Sequence, residues 1–183
     1  MDCKEERVDM RNHTAEDIKK MQETNKLVFQ LNHTMPMSEE YSDLLQKIFG
    51  NIGEGSFVSA PIQGTCFDEV KIGNNVFVNS NCLFMSRGGI TIKDNVQIAS
   101  NCQLLSNNHD FYDRQILTCK PVVIEEGAWI GAGATIMPGI RVGKNAIVGA
   151  CSVVTHDVPD CAVVVGSPAK VIKTLDKDKF KTE

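Results

Sequence analysis

Branched or large apolar residues recur at every sixth position along most of this chain, and no other feature constrains the fold as tightly. The series runs Ile72, Val78, Phe84, then Ile92, Ile98, Leu104, and resumes as Ile124, Ile130, Ile136, Val142, Val148 and Val154. The next position is often glycine or another small residue, as at Gly73, Ala99, Gly131, Gly143 and Gly149. A small or β-branched residue stands four places on, as at Val76, Cys82, Val96, Cys102, Ala128, Ala134, Ala146 and Ser152. A period of six fits neither an amphipathic helix nor an alternating hairpin strand. It fits a chain that turns a corner after each short strand and returns above itself after three hexads, a parallel β-helix. The large residue fills the interior, a nearby glycine admits the tight turn, and stacked rounds pair as parallel sheet. A β-sandwich would have to hold twelve such positions in register by accident. Upstream, "IGEGSFVSAP" from Ile52 reads as a first, less regular round.

Two interruptions break the count. "SRGG", Ser86 to Gly89, shifts it by two residues. A longer polar stretch lies inside "LLSNNHDFYDRQILTCKPVVI", Leu104 to Ile124, and carries His109. Both should bulge from a corner, because a coil face cannot absorb unpaired residues without losing its ladder. The long one is expected as an extruded loop at about 105–121.

The ends follow other rules. In "TAEDIKKM", Thr14 caps a helix with Asp17 three residues on, a capping-box arrangement. A second helix starts after Ser38, with Tyr41, Leu44, Leu45 and Ile48 on one face and Gly50 closing it. Such helices suit the open end of the first coil, which otherwise exposes unpaired backbone. After the repeat, "VGSPAKVIK" leaves the coil at Pro168. The expected organisation is a helical segment over 1–51, the β-helix over 52–173, and a polar tail over 174–183.

Composition narrows the partners. The 183 residues suit one domain, and 23 acidic against 19 basic residues give a net charge of −4. No basic surface points to nucleic acid, and no apolar run is long enough for a membrane span. "MDCKEERVDM" has no apolar stretch of a signal-peptide kind, so the cytosol is the expected compartment. Seven cysteines are an odd number with no C-x-x-C pair, which disfavours a structural zinc site. In a reducing compartment they serve as small packing residues.

"IGNNVFVNSNCLF", "NNHDFYDR", "KPVVIEEGAWIGAGATIMPGIRVGKNAIVGA" and "VVVGSPAKVIK" together resemble the hexapeptide-repeat acetyltransferases, and most closely the maltose and galactoside O-acetyltransferases. The resemblance spans about Ile52 to Lys173 and is strongest after Lys120. It implies an all-β fold, a left-handed parallel β-helix with a short α-helical N-terminal segment, although parallel crossovers are ordinarily right-handed. It implies acetyl transfer from acetyl-CoA, as co-substrate and without a metal, to a small-molecule acceptor such as a sugar. It also implies a homotrimer with sites between subunits.

The same resemblance assigns roles. A sugar hydroxyl attacks a thioester poorly unless a base takes its proton, and histidine suits that task near neutral pH. His109 matches the catalytic histidine, whereas an isolated loop histidine would more often bond only its own loop. Asn79 in "FVNSN" matches an asparagine that contacts the acceptor hydroxyl, and it also suits a corner turn. Trp129, the only tryptophan, follows the interior position Ala128 and should point outward, toward either an active-site groove or a subunit interface. Gly131, Ala132, Gly149, Ala150 and Thr155 match positions along the pantetheine arm. Lys170 and Lys173 match basic positions near the nucleotide phosphates, and they equally suit a solvated face. The oxyanion formed from the thioester needs a donor, expected to be a backbone N–H.

Departures concern the acceptor and part of the coenzyme contacts, and leave His109 untouched. Ser86 stands where many relatives have aspartate, and Leu117 where several have an acidic residue. No Tyr-Asp pair occurs around Met10 to His13, Cys151 replaces a glycine, and His156 replaces a common lysine. A xenobiotic or small-amine acceptor therefore stays open, as does a non-catalytic β-helix binding module. A carbonic anhydrase on this fold needs three histidine ligands per site, and only His109 lies in or beside the middle coils.

Overall fold

The apolar hexads point inward and their backbones stack. The computed structural model describes residues 5–50 and 52–180. All twelve hexad residues are buried, and so are the small residues four places after them. Three parallel faces result. One stacks Val70–Ile72, Ile90–Ile92, Val122–Ile124 and Arg141–Val142. The second stacks Phe57–Val58, Phe77–Val78, Gln97–Ile98, Trp129–Ile130, Ile147–Val148 and Ala162–Gly166. The third stacks Ile62–Thr65, Cys82–Met85, Gln103–Leu105, Thr135–Ile136 and Val153–Val154.

Register explains the interruptions. Val78 lies beside Ile98 and Ile130 beside Val148, so an early coil takes twenty residues and a later one eighteen. The first coil, joined at Ile52 to Ile72, has the same two-residue surplus as the second and spends it around the 3-10 turn Phe67–Glu69. "SRGG" does not stand out from its corner as expected. Ser86 is fully buried, and the Gly88 N–H donates to Ser106 Oγ at 2.8 Å. A Cβ at Gly88 would sit 2.3 Å from the Ser106 carbonyl oxygen, so this turn is folded under the base of the long loop.

The caps form where the sequence places them. Helix α1, Ala15–His33, begins with a complete Thr14–Asp17 capping box, and α2, Glu39–Phe49, is capped by Ser38 and ends at Gly50 with φ of 73°. Both cover the first coil. Asn32 pairs its amide with the exposed edge, donating to the Ile62 carbonyl and accepting from the Ile62 N–H, each at 2.9 Å. The buried Tyr41 hydroxyl donates to the Val58 carbonyl at 2.9 Å and accepts from the Ala60 N–H at 2.6 Å. Phe49 meets Phe67 and Phe84 edge-on with centroids 5.3 and 5.7 Å away.

Two expectations about the ends need correction. The N-terminal segment is not purely helical, because Glu6–Asp9 is a strand before α1. It pairs antiparallel with Ile116–Cys119, and this gives the extruded loop a three-stranded sheet together with Asn107–His109. The physical reason is that a short hairpin is marginal alone and gains from a third strand. At the other end, the chain does not leave the coil at Pro168. It turns back there, and Ala169–Thr174 adds an antiparallel strand beside Ala162–Gly166, which covers the edge of the second face.

Candidate active site

The corner after each second-face strand repeats one backbone arrangement. The N–H groups of Asn79, Ala99, Gly131 and Gly149 donate to the carbonyls of Ile98, Ile130, Val148 and Val164 at 2.7 to 2.9 Å. Four of the positions named from the sequence therefore fall on one edge of the solenoid, with Asn79 toward its N-terminal end: Gly131 and Ala132 on one rung, Gly149 and Ala150 on the next. Trp129 lies beside them, 52% exposed, on the outer surface of the second face between Gln97 and Ile147.

Asn79 shapes its own turn. Its Oδ1 accepts from the Ser80 N–H at 2.8 Å, which requires the oxygen to face the turn and the amino group to face away. The corner role and a ligand role are thus compatible. At Gly131 a Cβ would lie 2.7 Å from both the Val148 carbonyl oxygen and the Ala150 nitrogen. At Gly149 it would lie 2.6 Å from Val165 Cγ1. Rung spacing alone demands Gly131, whose close neighbours are backbone, whereas at Gly149 the close atom is a side-chain methyl. Ala132 and Ala150 are exposed and present the small surface of this edge.

His109 belongs to another corner. The loop departs between the third and first faces, and His109 ends the strand Asn107–His109, opposite Leu117. The ring is exposed, and Nδ1 lies 2.6 Å from the Arg114 carbonyl oxygen. A carbonyl only accepts, so Nδ1 carries a proton, and in the neutral ring Nε2 holds the lone pair. The loop contact expected of a merely structural histidine is present, and it occupies Nδ1 of an exposed ring. The tip beyond it, Phe111 and Tyr112, is 83% and 97% exposed.

The turn 110–114 is heavily constrained. Asp110 accepts from the backbone N–H groups of Asp113 and Tyr112 and from Arg7, and these hold its carboxyl far below the usual carboxylate range. Arg114 donates to the Asp110 carbonyl. Arg7, Arg11, Asp110, Asp113 and Arg114 were not found by sequence reasoning. The paired aspartates of "HDFYDR" do signal a turn, but nothing in "ERVDMR" signals that its arginines meet that turn.

Thr155 shares the corner of the loop rather than that of Gly149, since it follows Val153–Val154. Its Oγ1 lies 3.0 Å from His156 Nδ1. Next to it a hollow of about 190 Å³ is lined by His156, Asp157, Val158, Ala169, Lys170 and Val171, among others. Lys170 and Lys173 are exposed on the returning strand, opposite Val165 and Val163. Asn79, Gly131, Ala132, Gly149 and Ala150 thus lie on one corner and His109 and Thr155 on another, with Trp129, Lys170 and Lys173 on the second face. No group of histidine, cysteine, aspartate or glutamate suited to a metal ion occurs among the described residues, and none of their helices is long and apolar enough to cross a membrane.

Comparison with known proteins agrees with this architecture. Residues 121–156 match the family described as bacterial transferase hexapeptide (six repeats), and residues 69–106 match the hexapeptide repeat of succinyl-transferase. A galactoside O-acetyltransferase of Lactococcus lactis is 33% identical over 170 residues, 90% of this chain and 82% of the relative. A hexapeptide-repeat acetyltransferase of Vibrio cholerae, solved with acetyl coenzyme A, superposes with a TM-score of 0.84 at 32% identity, covering 90% of this chain and 91% of that one. A maltose O-acetyltransferase of Clostridium difficile gives 0.82 at 35% identity, covering 87% and 88%. The chain belongs to the hexapeptide-repeat acetyltransferases, and within them it is similar to the galactoside and maltose O-acetyltransferases.

Proposed function

We propose that this protein transfers the acetyl group of acetyl-CoA to a hydroxyl of a sugar, directly, with His109 as general base. The observation that carries the reading is the Nδ1–H of His109 held on the Arg114 carbonyl, with Nε2 left basic on a projecting loop. Nε2 takes the hydroxyl proton as the oxygen attacks the thioester carbon. The tetrahedral intermediate collapses, the C–S bond breaks, and the imidazolium returns the proton to the departing thiolate. A backbone N–H stabilises the oxyanion.

The edge of Ala132 and Ala150 fits a slender pantetheine arm, because it presents small side chains and no charge. Lys170, at the hollow beside His156, offers a cation for phosphate. Galactoside- and maltose-acetylating relatives at over 30% identity, and a neighbour solved with acetyl-CoA, support the reaction class. The assembly is a homotrimer, with the His109 loop of one subunit facing the Asn79–Ala150 edge of another. The split of the site over two corners supports that arrangement.

Acetyl-CoA incubated with a panel of sugars and small amines, read by mass spectrometry of products, tests the proposal. Wild type should acetylate a sugar, and His109→Ala should lose about 100-fold or more in kcat. Near-normal turnover of His109→Ala would falsify the assigned base. Absence of acetyl-CoA binding would favour a non-catalytic module.

A further inference from the structure

We infer that the N-terminal strand Glu6–Asp9 is a strap that holds His109 in its working geometry, with Arg7 and Arg11 as positioning residues. The inference rests on the reading of His109 as the base. The two aspartates that bracket the tip divide their oxygens in the same way. Asp110 Oδ1 accepts from the Tyr112 and Asp113 N–H groups at 2.8 and 3.0 Å, while Oδ2 accepts from Arg7 Nη2 at 2.7 Å. Asp113 Oδ1 accepts from the Gln115 N–H at 3.1 Å, while Oδ2 accepts from Arg11 Nη2 at 2.9 Å. One oxygen of each carboxylate builds the loop, and the other is tied to a residue a hundred positions away.

Backbone pairing completes the strap. Glu6 to Asp9 lie opposite Cys119 to Ile116, and the Met10 N–H donates to the Gln115 carbonyl at 2.9 Å. Asp9 fixes Arg11 in turn, accepting from Nε and Nη2 at 2.8 Å each. Arg114, whose carbonyl accepts the hydrogen bond from His109 Nδ1, sits between Asp113 and Gln115, both of which the strap grips. Exposed ion pairs add little to global stability. Two of them aimed at the support of one ring act on its position, where a shift of about 1 Å can cost a hundredfold in rate.

The test compares wild type with Arg7→Ala/Arg11→Ala, Arg7→Lys and Asp110→Asn, using acetyl-CoA with a galactoside and maltose as acceptors. Asp110→Asn keeps the Oδ1 contacts of the turn and removes the charge that meets Arg7. We expect the double variant to lose about 10-fold in kcat, with the KM for acetyl-CoA and the melting temperature unchanged. Asp110→Asn should follow it partway, and Arg7→Lys should recover part of the rate. Long-range ¹H–¹⁵N NMR of the histidine rings gives a readout independent of turnover. His109 should be a single Nδ1–H tautomer in wild type and a mixture in the double variant. A single tautomer and wild-type kcat in the double variant overturn the strap, and so does a rate loss matched by a lower melting temperature and raised KM. His109→Ala run alongside separates the two ideas. An active His109→Ala sinks the base and leaves the strap to the NMR result, whereas an inactive one beside a normal double variant sinks the strap alone.

Discussion

Gly131 and Ala132 are neighbours on one rung, and only one of them is free to serve a ligand. A methyl at Gly131 meets three backbone atoms of the next coil, whereas Ala132 is exposed. Gly131→Ala should therefore lower stability by about 1–3 kcal/mol in urea melts, and any loss of coenzyme binding there would be indirect. Ala132→Glu should leave stability within about 0.5 kcal/mol. It should weaken acetyl-CoA at least about 10-fold by calorimetry, through charge repulsion and bulk. Unchanged affinity in Ala132→Glu would place the coenzyme on another edge. Residues at this scale were legible to unequal degrees. The interior positions followed from the period alone, because each must fill a defined layer. His109, Asn79 and Trp129 came only through resemblance to a family, since composition does not tell a base from a turn-former. Arg7 and Arg11 were illegible, because the loop aspartates they hold lie a hundred residues away on a surface with no period.

Among the elements, the corner between the first and second faces is held by charge. Glu125 is 7% exposed, lies 2.6 Å from Lys93 Nζ, and accepts from Arg141 Nε at 2.9 Å. Arg141 continues to Asp160 at 3.0 Å, so the pairs link successive coils. Burial pushes the Glu125 carboxyl up, but Lys93 and Arg141 outweigh it and hold the pKa below its usual value. A carboxylate lowered in the folded state stabilises the protein above its unfolded pKa, near 4.3, and that contribution is lost as pH falls through the folded pKa. Glu125→Gln should cost about 1 kcal/mol near neutrality, since both cations are partly exposed. The gap to wild type should close as melts are repeated toward pH 3. A gap that is constant with pH would mean the loss is packing rather than charge. Elements with an internal signal were readable in advance: α1 from its capping box, α2 from its apolar stripe, and the coil strands from their period. The strand Glu6–Asp9 was not, because four residues that pair with a distant hairpin carry no periodicity of their own.

On the scale of the whole molecule, the division of the site decides how many chains one active centre needs. His109 and Thr155 are on the corner between the third and first faces, whereas Asn79, Ala132 and Ala150 are on the corner after the second. If copies pack side by side about a three-fold axis, the loop corner of one meets the ligand edge of the next. Each centre then needs one good loop and one good edge from different chains. Assayed with acetyl-CoA below its Kd, His109→Ala should keep about a hundredth of wild-type turnover and Ala132→Glu about a tenth or less, for opposite reasons. Mixed one to one, unfolded and refolded together, they assemble at random. A centre is intact when its loop comes from an Ala132→Glu chain and its edge from a His109→Ala chain, which occurs for about one quarter of centres. Under that condition the mixture should regain about a quarter of wild-type turnover, while each variant refolded alone stays at its own lower level. Sedimentation should show the same trimeric mass in all samples. Were the centre built within one chain, every chain in the mixture would carry a defect, and no activity would return.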